Sequence, residues 1–407
     1  MDIIILLLEY IKWIFFILIS LSTVYILFFS LAGLFKYKVN SKGSLRKRQI
    51  AVFIPGYKED NVIFNVAQNA LKQDYPSDNY DIIVVADSFA PQTLEKLSTL
   101  PIKVIEVSFE VSSKSKALNK AMQLLDGKYE IAVILDADNL MEKSFLTKIN
   151  DAFELGLRAV QGHRTAKNLN TPFAVLDAIS EEINNHIFRK GHRVLGFSSA
   201  LIGSGMAFEY ELFRKEMSAI DSFGEDKELE LNLIERRIKI EYLENAYVYD
   251  EKIDKPENLV RQRTRWISNQ IMYAKSHFFK ALNQLFLKGN IDYFEKVLQH
   301  FQPPRILLGG IIFMATLISF LFNDQDLRFA WLTLFILFVI SMFLALPRKF
   351  LNIKTLKIVY FIPLGALLMF KSLLSSRKTL KTFNATNHSI IVDHELNGKE
   401  TKDDLLN

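Results

Sequence analysis

The chain has 407 residues, half of them hydrophobic, with 50 lysines and arginines against 45 aspartates and glutamates and a formal net charge of +5. There is no cysteine, so disulfides and thiolate metal sites are excluded. The basic residues are not interleaved with aromatics along one surface, so nucleic acid is not an expected partner.

Trp13 to Phe35 is nearly uninterrupted apolar sequence, long enough to cross a bilayer as a helix. Ser30-Leu31-Ala32 mimics a signal-peptidase site. Asp2 and Glu9, however, stand where a basic cluster would be needed, and the apolar stretch is too long, so an uncleaved anchor is expected. Lys36, Lys38, Lys42, Arg46, Lys47 and Arg48 follow directly, and the positive-inside rule places this end in the cytoplasm.

Residues 49–300 read as an α/β domain. Candidate strands are Ile50–Ile54, Ile82–Ala86, Lys103–Val107, Ile131–Leu135 and Ala159–Gln161. Helical patterns lie between them at Asn61–Lys72, Gln92–Leu97, Ser115–Leu125 and Lys143–Leu155. This alternation predicts a mostly parallel sheet covered on both faces. Longer helices are predicted at Phe173–Arg189 and Glu257–Leu287.

The chemistry-bearing residues fall at the ends of these elements. Pro55 and Gly56 are read as a turn that exposes Tyr57 and Glu59 at the sheet edge. Asp87 ends the next strand, and Lys114 and Lys116 open a helix whose N-terminus favours anions. Asp136-Ala137-Asp138 closes an apolar run, and strand alternation predicts two carboxylates emerging together where open α/β sheets bind ligands. A hard divalent cation takes such oxygens and fills its shell with water and phosphate. Gly203-Ser204-Gly205 and Gly224-Glu225-Asp226 come next. Then, on one face of a helix, come Gln262, Arg265 and Trp266, groups suited to a phosphate and a sugar ring. Singly, each has a plain explanation: Glu225 and Asp226 favour a helix N-terminus, and Trp266 and Arg265 suit a membrane interface. His186 and His192 read as surface or supporting residues, not metal ligands.

Ile306–Phe322 and Phe329–Leu346 are two further apolar spans, and Val359–Phe370 is a shorter one. Three spans after the domain would put the tail outside, whereas Lys371, Arg377, Lys378 and Lys381 favour the cytoplasm, so the side of the tail stays open.

The ordered set Pro55–Glu59, Asp87, Lys114, Asp136/Asp138, Glu225-Asp226 and Gln262-x-x-Arg265-Trp266 resembles the membrane-bound family 2 glycosyltransferases, among them the cellulose, chitin and hyaluronan synthases. The resemblance covers about residues 50–270. It departs from the family at Ser88-Phe89-Ala90-Pro91, at Ser113 where a glycine is frequent, and in the segment Lys381–His388. It implies an α/β fold of the GT-A type flanked by transmembrane helices. The implied divisions are an anchor over 1–38, a cytoplasmic catalytic domain over 39–275, interfacial helices over 276–304, a membrane region over 305–374 and a polar tail over 375–407. It implies nucleotide-sugar binding by Pro55, Tyr57, Glu59, Asp87, Lys114, Asp136, Gln262, Arg265 and Trp266, a Mg2+ or Mn2+ ion on Asp138, and Asp226 as catalytic base.

The expected activity is inverting, metal-dependent transfer from a nucleotide-diphosphate sugar, expected to be a UDP-sugar. The acceptor is a growing polysaccharide or lipid-linked glycan at the bacterial inner membrane, with an export partner. The alternatives are transfer of one sugar to a lipid carrier and a non-catalytic subunit of an assembly complex.

Overall fold

A computed structural model describes residues 2–39, 43–125, 127–222, 224–254 and 256–376. Of the expected polar tail, residues 377–407, with Arg377, Lys378 and Lys381, lie outside them, as does Lys42 of the basic cluster. Helix α1 (Asp2–Ala32) precedes an α/β unit. That unit opens with β1 (Ile50–Tyr57), α2 (Ile63–Ala70), β2 (Tyr80–Asp87), α3 (Pro91–Ser98), β3 (Lys103–Val107), α4 (Lys114–Leu124) and β4 (Ile131–Ile134). It continues through β5 (Leu140–Met141), α5 (Phe145–Glu154), β6 (Ala159–Ala166), α6 (Pro172–Asn184), a π-helical turn at Asn185–Gly191 and α7 (His192–Val194). β7 (Met206–Glu209), α8 (Tyr210–Met217), α9 (Glu225–Glu235) and β8 (Glu241–Asp250) complete it. Helices α10 (Pro256–Phe286), α11 (Ile291–Phe301), α12 (Arg305–Ser319), α13 (Gln325–Ala345), α14 (Ile353–Ile358) and α15 (Ile362–Ser375) follow.

The strands form one sheet in the order β3-β2-β1-β4-β7-β6-β8-β5. The first four are parallel, as the alternation predicts. Alternate side chains face opposite ways. Val52, Val84 and Val133 meet α2 and α5 on one face, while Phe53, Ile83 and Ile134 meet α4 and α8 on the other. The remainder of the sheet is mixed. β7 runs antiparallel to both β4 and β6, and β5 runs antiparallel to β8. β7 and β5 are short, and β8 (EYLENAYVYD) is rich in polar residues, so no apolar run marks them in the sequence.

The expected turn at Pro55-Gly56 is not there, because β1 continues to Tyr57. The Phe53 carbonyl accepts from Leu135 on the β4 side, and Pro55, two residues on, directs its ring nitrogen the same way. β4 pairs with β1 only as far as Phe53, so no ladder bond is demanded of the N–H that proline lacks. Gly56 is a close-approach position: a β-carbon there would stand 2.8 Å from Phe89 Cζ and 3.3 Å from Ala137 Cβ. The turn comes at Lys58, in the left-handed region with φ 56°.

Among the described residues two helices are long and apolar enough to cross a membrane, α1 over Glu9–Ala32 and α13 over Gln325–Ala345. They pack side by side, with Phe16 edge-on to Trp331 at 5.0 Å and Lys12 paired to Asp324 at 3.5 Å. The span expected at Ile306–Phe322 is shorter than read. α12 has 15 residues, about 22 Å of rise against a hydrocarbon core of about 30 Å. It forms with α11 a pair bent by 60°. The Ser268 hydroxyl on α10 donates to the Ser376 carbonyl (2.8 Å), so the last described residue sits beside α10.

His192 and His186 lie against α1 rather than on the surface. Both dock α1 on the α/β unit. His192 is buried, stacks on Phe29 at 3.6 Å, and contacts Tyr25 (3.1 Å) and Glu295 (2.8 Å). His186 Nε2 meets the Ser30 carbonyl at 2.8 Å.

Candidate active site

The site lies at the C-terminal edge of β1, β2 and β4. Past Ile134 the chain leaves the sheet. The Asn139 amide donates to the Asp136 carbonyl at 3.1 Å, so Asp136–Asn139 is a turn, not extended strand. The two aspartates therefore do not emerge side by side. Asp138 is buried, one oxygen accepting from Asn139 Nδ2 (3.1 Å) and the other from the Glu251 N–H (2.9 Å). Asp136 is about one-third exposed and pairs with Lys114.

Lys114, at the first turn of α4, is the centre of the arrangement. Its ammonium donates to the Asp136 carboxylate and to the Gly203 carbonyl (2.6 Å), and lies 4.0 Å from Glu225 Oε1. Burial works against its charge, but the carboxylates of Asp136 and Glu225 more than offset this and hold its pKa above the ordinary lysine value. Gly203 has φ +83°, a conformation that disfavours a side chain, and a β-carbon there would point at Asp226 Oδ2 from 3.9 Å. This turn thus brings Lys114, Asp136 and the Glu225-Asp226 pair around one space. Burial pushes the Glu225 carboxyl up to about 7, with Lys114 opposing the shift and Asp226 adding to it.

Three supporting residues are missing from the sequence reading. Arg164 on β6 lies 3.9 Å from Asp136 and 3.8 Å from Asp250, and donates to Glu181 at 2.8 Å. The Gln161 amide donates to the Ser204 carbonyl (2.9 Å) and accepts from Ile202 N (3.1 Å), holding the glycine turn. Asn139 joins both aspartates. It directly follows the Asp-x-Asp pair, and that adjacency is the one sequence signal that would have found it.

At the other rim, strand register pairs Tyr57 with Asp87. Asp87 is buried and accepts from the Ser88 hydroxyl at 2.9 Å. The departure Ser88-Phe89-Ala90-Pro91 has a physical role here: Phe89 packs on Gly56, and Asp60 accepts from the Ala90 N–H (2.8 Å). Tyr57 therefore stands beside Asp87 and Pro55 beside Val85, with Gly56 next to Ala137 of the Asp-x-Asp turn and Glu59 just past the strand end.

Gln262, Arg265 and Trp266 are half-buried on α10. Further along that helix, the Tyr273 hydroxyl donates to the Gly224 carbonyl at 3.0 Å, immediately before Glu225. Trp266 stands about two turns from Tyr273 on the same helix. One ring face of Trp266 is covered by the Arg263 guanidinium at 4.2 Å, which itself pairs with Asp177 on α6.

Among the described residues no group of three or more histidines and acids forms a metal cage. Mg2+ and similar hard cations commonly rest on one or two carboxylates plus phosphate oxygens and water. Asp138, with Asp136 two residues before it, supplies carboxylate oxygens of that kind, so the donor set fits that mode.

A family model described as "Glycosyltransferase like family 2" matches residues 47–269, more than half of the chain. A Bacillus subtilis protein named "Probable glycosyltransferase YdaM" is 26% identical over 371 residues, 84% of each chain. The beta-monoglucosyldiacylglycerol synthase of Trichormus variabilis is 24% identical over 296 residues, 69% of this chain and 58% of that protein, so the chain spans little more than half of that relative. Among solved structures, a mannosyltransferase from Pyrobaculum calidifontis, in complex with GDP-Man and Mn2+, superposes with a TM-score of 0.54 at 15% identity, covering 90% of this chain and 99% of that one. That likeness concerns the fold. The chain belongs to the glycosyltransferase-like family 2 and is a glycosyltransferase of the GT-A fold.

Proposed function

We propose that the chain transfers a sugar from a nucleotide-diphosphate sugar to a hydroxyl of a lipid or lipid-linked glycan at a membrane, with inversion and with a divalent cation. The observation that carries this reading is the meeting of Lys114, Asp136 and Glu225-Asp226 around the Gly203 turn. Pro55, Tyr57, Glu59 and Asp87 border the nucleoside, and Lys114 with Asp136 orients the diphosphate end. Gln262 and Arg265 bind the diphosphate, with Trp266 bordering the acceptor. Asp138 would hold Mg2+ or Mn2+, which when bound neutralises charge on the departing diphosphate. The Pyrobaculum structure, holding GDP-Man and Mn2+ on the same fold, supports this part.

Asp226 takes the proton of the acceptor hydroxyl as its oxygen bonds to the anomeric carbon and the bond to the diphosphate breaks on the opposite face. General-base help of this kind is worth roughly 10²–10⁴-fold. Among the described residues no hydrogen bond engages the Asp226 carboxylate, which leaves it available to an acceptor. A single lipid as acceptor is favoured by the name of the Trichormus relative. The names of the relatives carry glycosyl transfer and no export role, so no export partner is included.

Helices α1 and α13 would anchor the protein as a multi-pass chain, with the α/β unit at the cytoplasmic face of a bacterial inner membrane. Lys36 and Lys38 support that side. Arg46 and Arg48 support it less, since they pair with Glu130 and Glu154. The test is turnover of a panel of nucleotide sugars by the full chain in lipid, with and without divalent cation, followed by product analysis. Release of no nucleoside diphosphate from any donor overturns the reading.

A further inference from the structure

Asn139 is 1% exposed and makes all four hydrogen bonds that an amide side chain can make. Its Oδ1 accepts from the Asp136 N–H (3.2 Å) and from the Ser204 hydroxyl. Its Nδ2 donates to Asp138 Oδ1 (3.1 Å) and to Asp250 Oδ1 (3.2 Å). The orientation is forced, since a flipped amide would set its oxygen against two carboxylates and its NH2 against an N–H. Ser204 lies in the glycine turn that faces Asp226, and Gln161 fixes the same turn from below.

We propose that Asn139 is a positioning residue that locks the Asp136–Asp138 turn in its cation- and diphosphate-binding shape and, through Ser204, ties that turn to the glycine loop beside Asp226. This rests on the glycosyl-transfer reading above. The donor-side carboxylates and the acceptor-side acid are then held in one frame by a single buried amide. Its neighbours are charged, so the bonds it gives Asp138 and Asp250 are of the stronger class.

The experiment uses the full chain in lipid nanodiscs and two readouts. The first is binding of Mn2+ with UDP or GDP, followed by the electron paramagnetic resonance of free Mn2+. The second is kcat for sugar transfer. Asn139→Leu, close in shape but unable to make these bonds, is expected to weaken Mn2+–nucleotide binding roughly ten- to a hundredfold, as losses of outer-sphere support do. Ser204→Ala removes only the link to the glycine turn. It is expected to leave that binding within about twofold while lowering kcat, and to cause no further loss of kcat when added to Asn139→Leu. Asn139→Ser, smaller and still polar, is read by the same two measurements should the leucine variant fail to fold.

Folded Asn139 variants that bind Mn2+–nucleotide like the parent chain overturn the proposal. So does full additivity of the two substitutions in kcat. Loss of folded protein with unchanged affinity per folded molecule would make Asn139 a scaffold residue only, and overturns it too. A parent chain that transfers no sugar refutes the activity reading separately, and the Mn2+ titration then still decides the role of Asn139.

Discussion

Lys114 Nζ and Glu225 Oε1 lie 4.0 Å apart, joining the start of α4 to the start of α9. Glu225 is poorly solvated there, and burial raises its carboxyl to about 7 from an ordinary 4.5, with Lys114 opposing and Asp226 and Asp136 adding to the shift. A raised carboxyl means that the folded chain keeps a proton the unfolded chain has released. The stabilisation is complete below about pH 4.5 and is lost as pH rises through about 7. Thermal melting of the full chain in detergent should therefore move to lower temperature from about pH 5 to about pH 8, and Glu225→Gln should flatten that fall. Identical pH slopes for both chains would sink the assignment.

Activity should require a divalent cation and be lost in Asp138→Asn. The buried Asp138 carboxylate sits in the turn that begins at Asp136, and charge neutralisation by a bound cation is worth several kcal/mol. A fall of more than about a hundredfold in nucleoside-diphosphate release is expected. Full turnover in excess chelator, or a normal rate in the variant, refutes the metal role.

Asp226→Asn should abolish transfer, by roughly 10²–10⁴-fold in kcat, while donor affinity changes little. The motivation is a carboxylate at the first turn of α9, which a β-carbon at Gly203 would meet at 3.9 Å. Donor binding measured by titration, alongside turnover, separates the cases. If both fell in parallel, Asp226 would be a binding or structural residue.

Trp266→Ala should lower transfer to acceptor by roughly tenfold, the worth of about 1.4 kcal/mol of ring contact, and slow donor hydrolysis to water much less. Because Arg263 covers one face of the indole, a sugar has only the other face or the edge. If the ring serves only to hold Arg263 and α6 in place, both rates per folded molecule fall together. Comparing the two rates in one preparation decides between them.

Much of the fold was legible in the sequence where burial is one-dimensional. β1, β2, β4 and the helices between them show as apolar runs and periodic stripes, because a strand covered on both faces disfavours polar residues in its middle. β5 and β7 are too short to show such a run, and β8 is too polar. The Asp-x-Asp pair was found by strand alternation, yet the strand ends at Ile134 and a turn places the two carboxylates in different environments. Pro55 was read as a chain breaker because its tolerance depends on where the neighbouring strand stops, which is a property of β4 and not of Pro55.

The sequence by itself determined which residue types were available and in what order: the acids at 87, 136, 138 and 226, the lysine at 114, and Gln262, Arg265 and Trp266 on one helix face. Periodicity and composition act over a few residues, so they place each of these at the end of an element. Only the tertiary structure decided that Lys114 bridges Asp136 and the Gly203 carbonyl 89 residues away. It alone decided that Asn139 binds Asp138, Asp250 and Ser204 together, and that His186 and His192 serve the anchor helix. Hydrogen bonds between distant segments depend on how the layers stack, and a buried polar atom takes its partner from whichever element packing brings within reach.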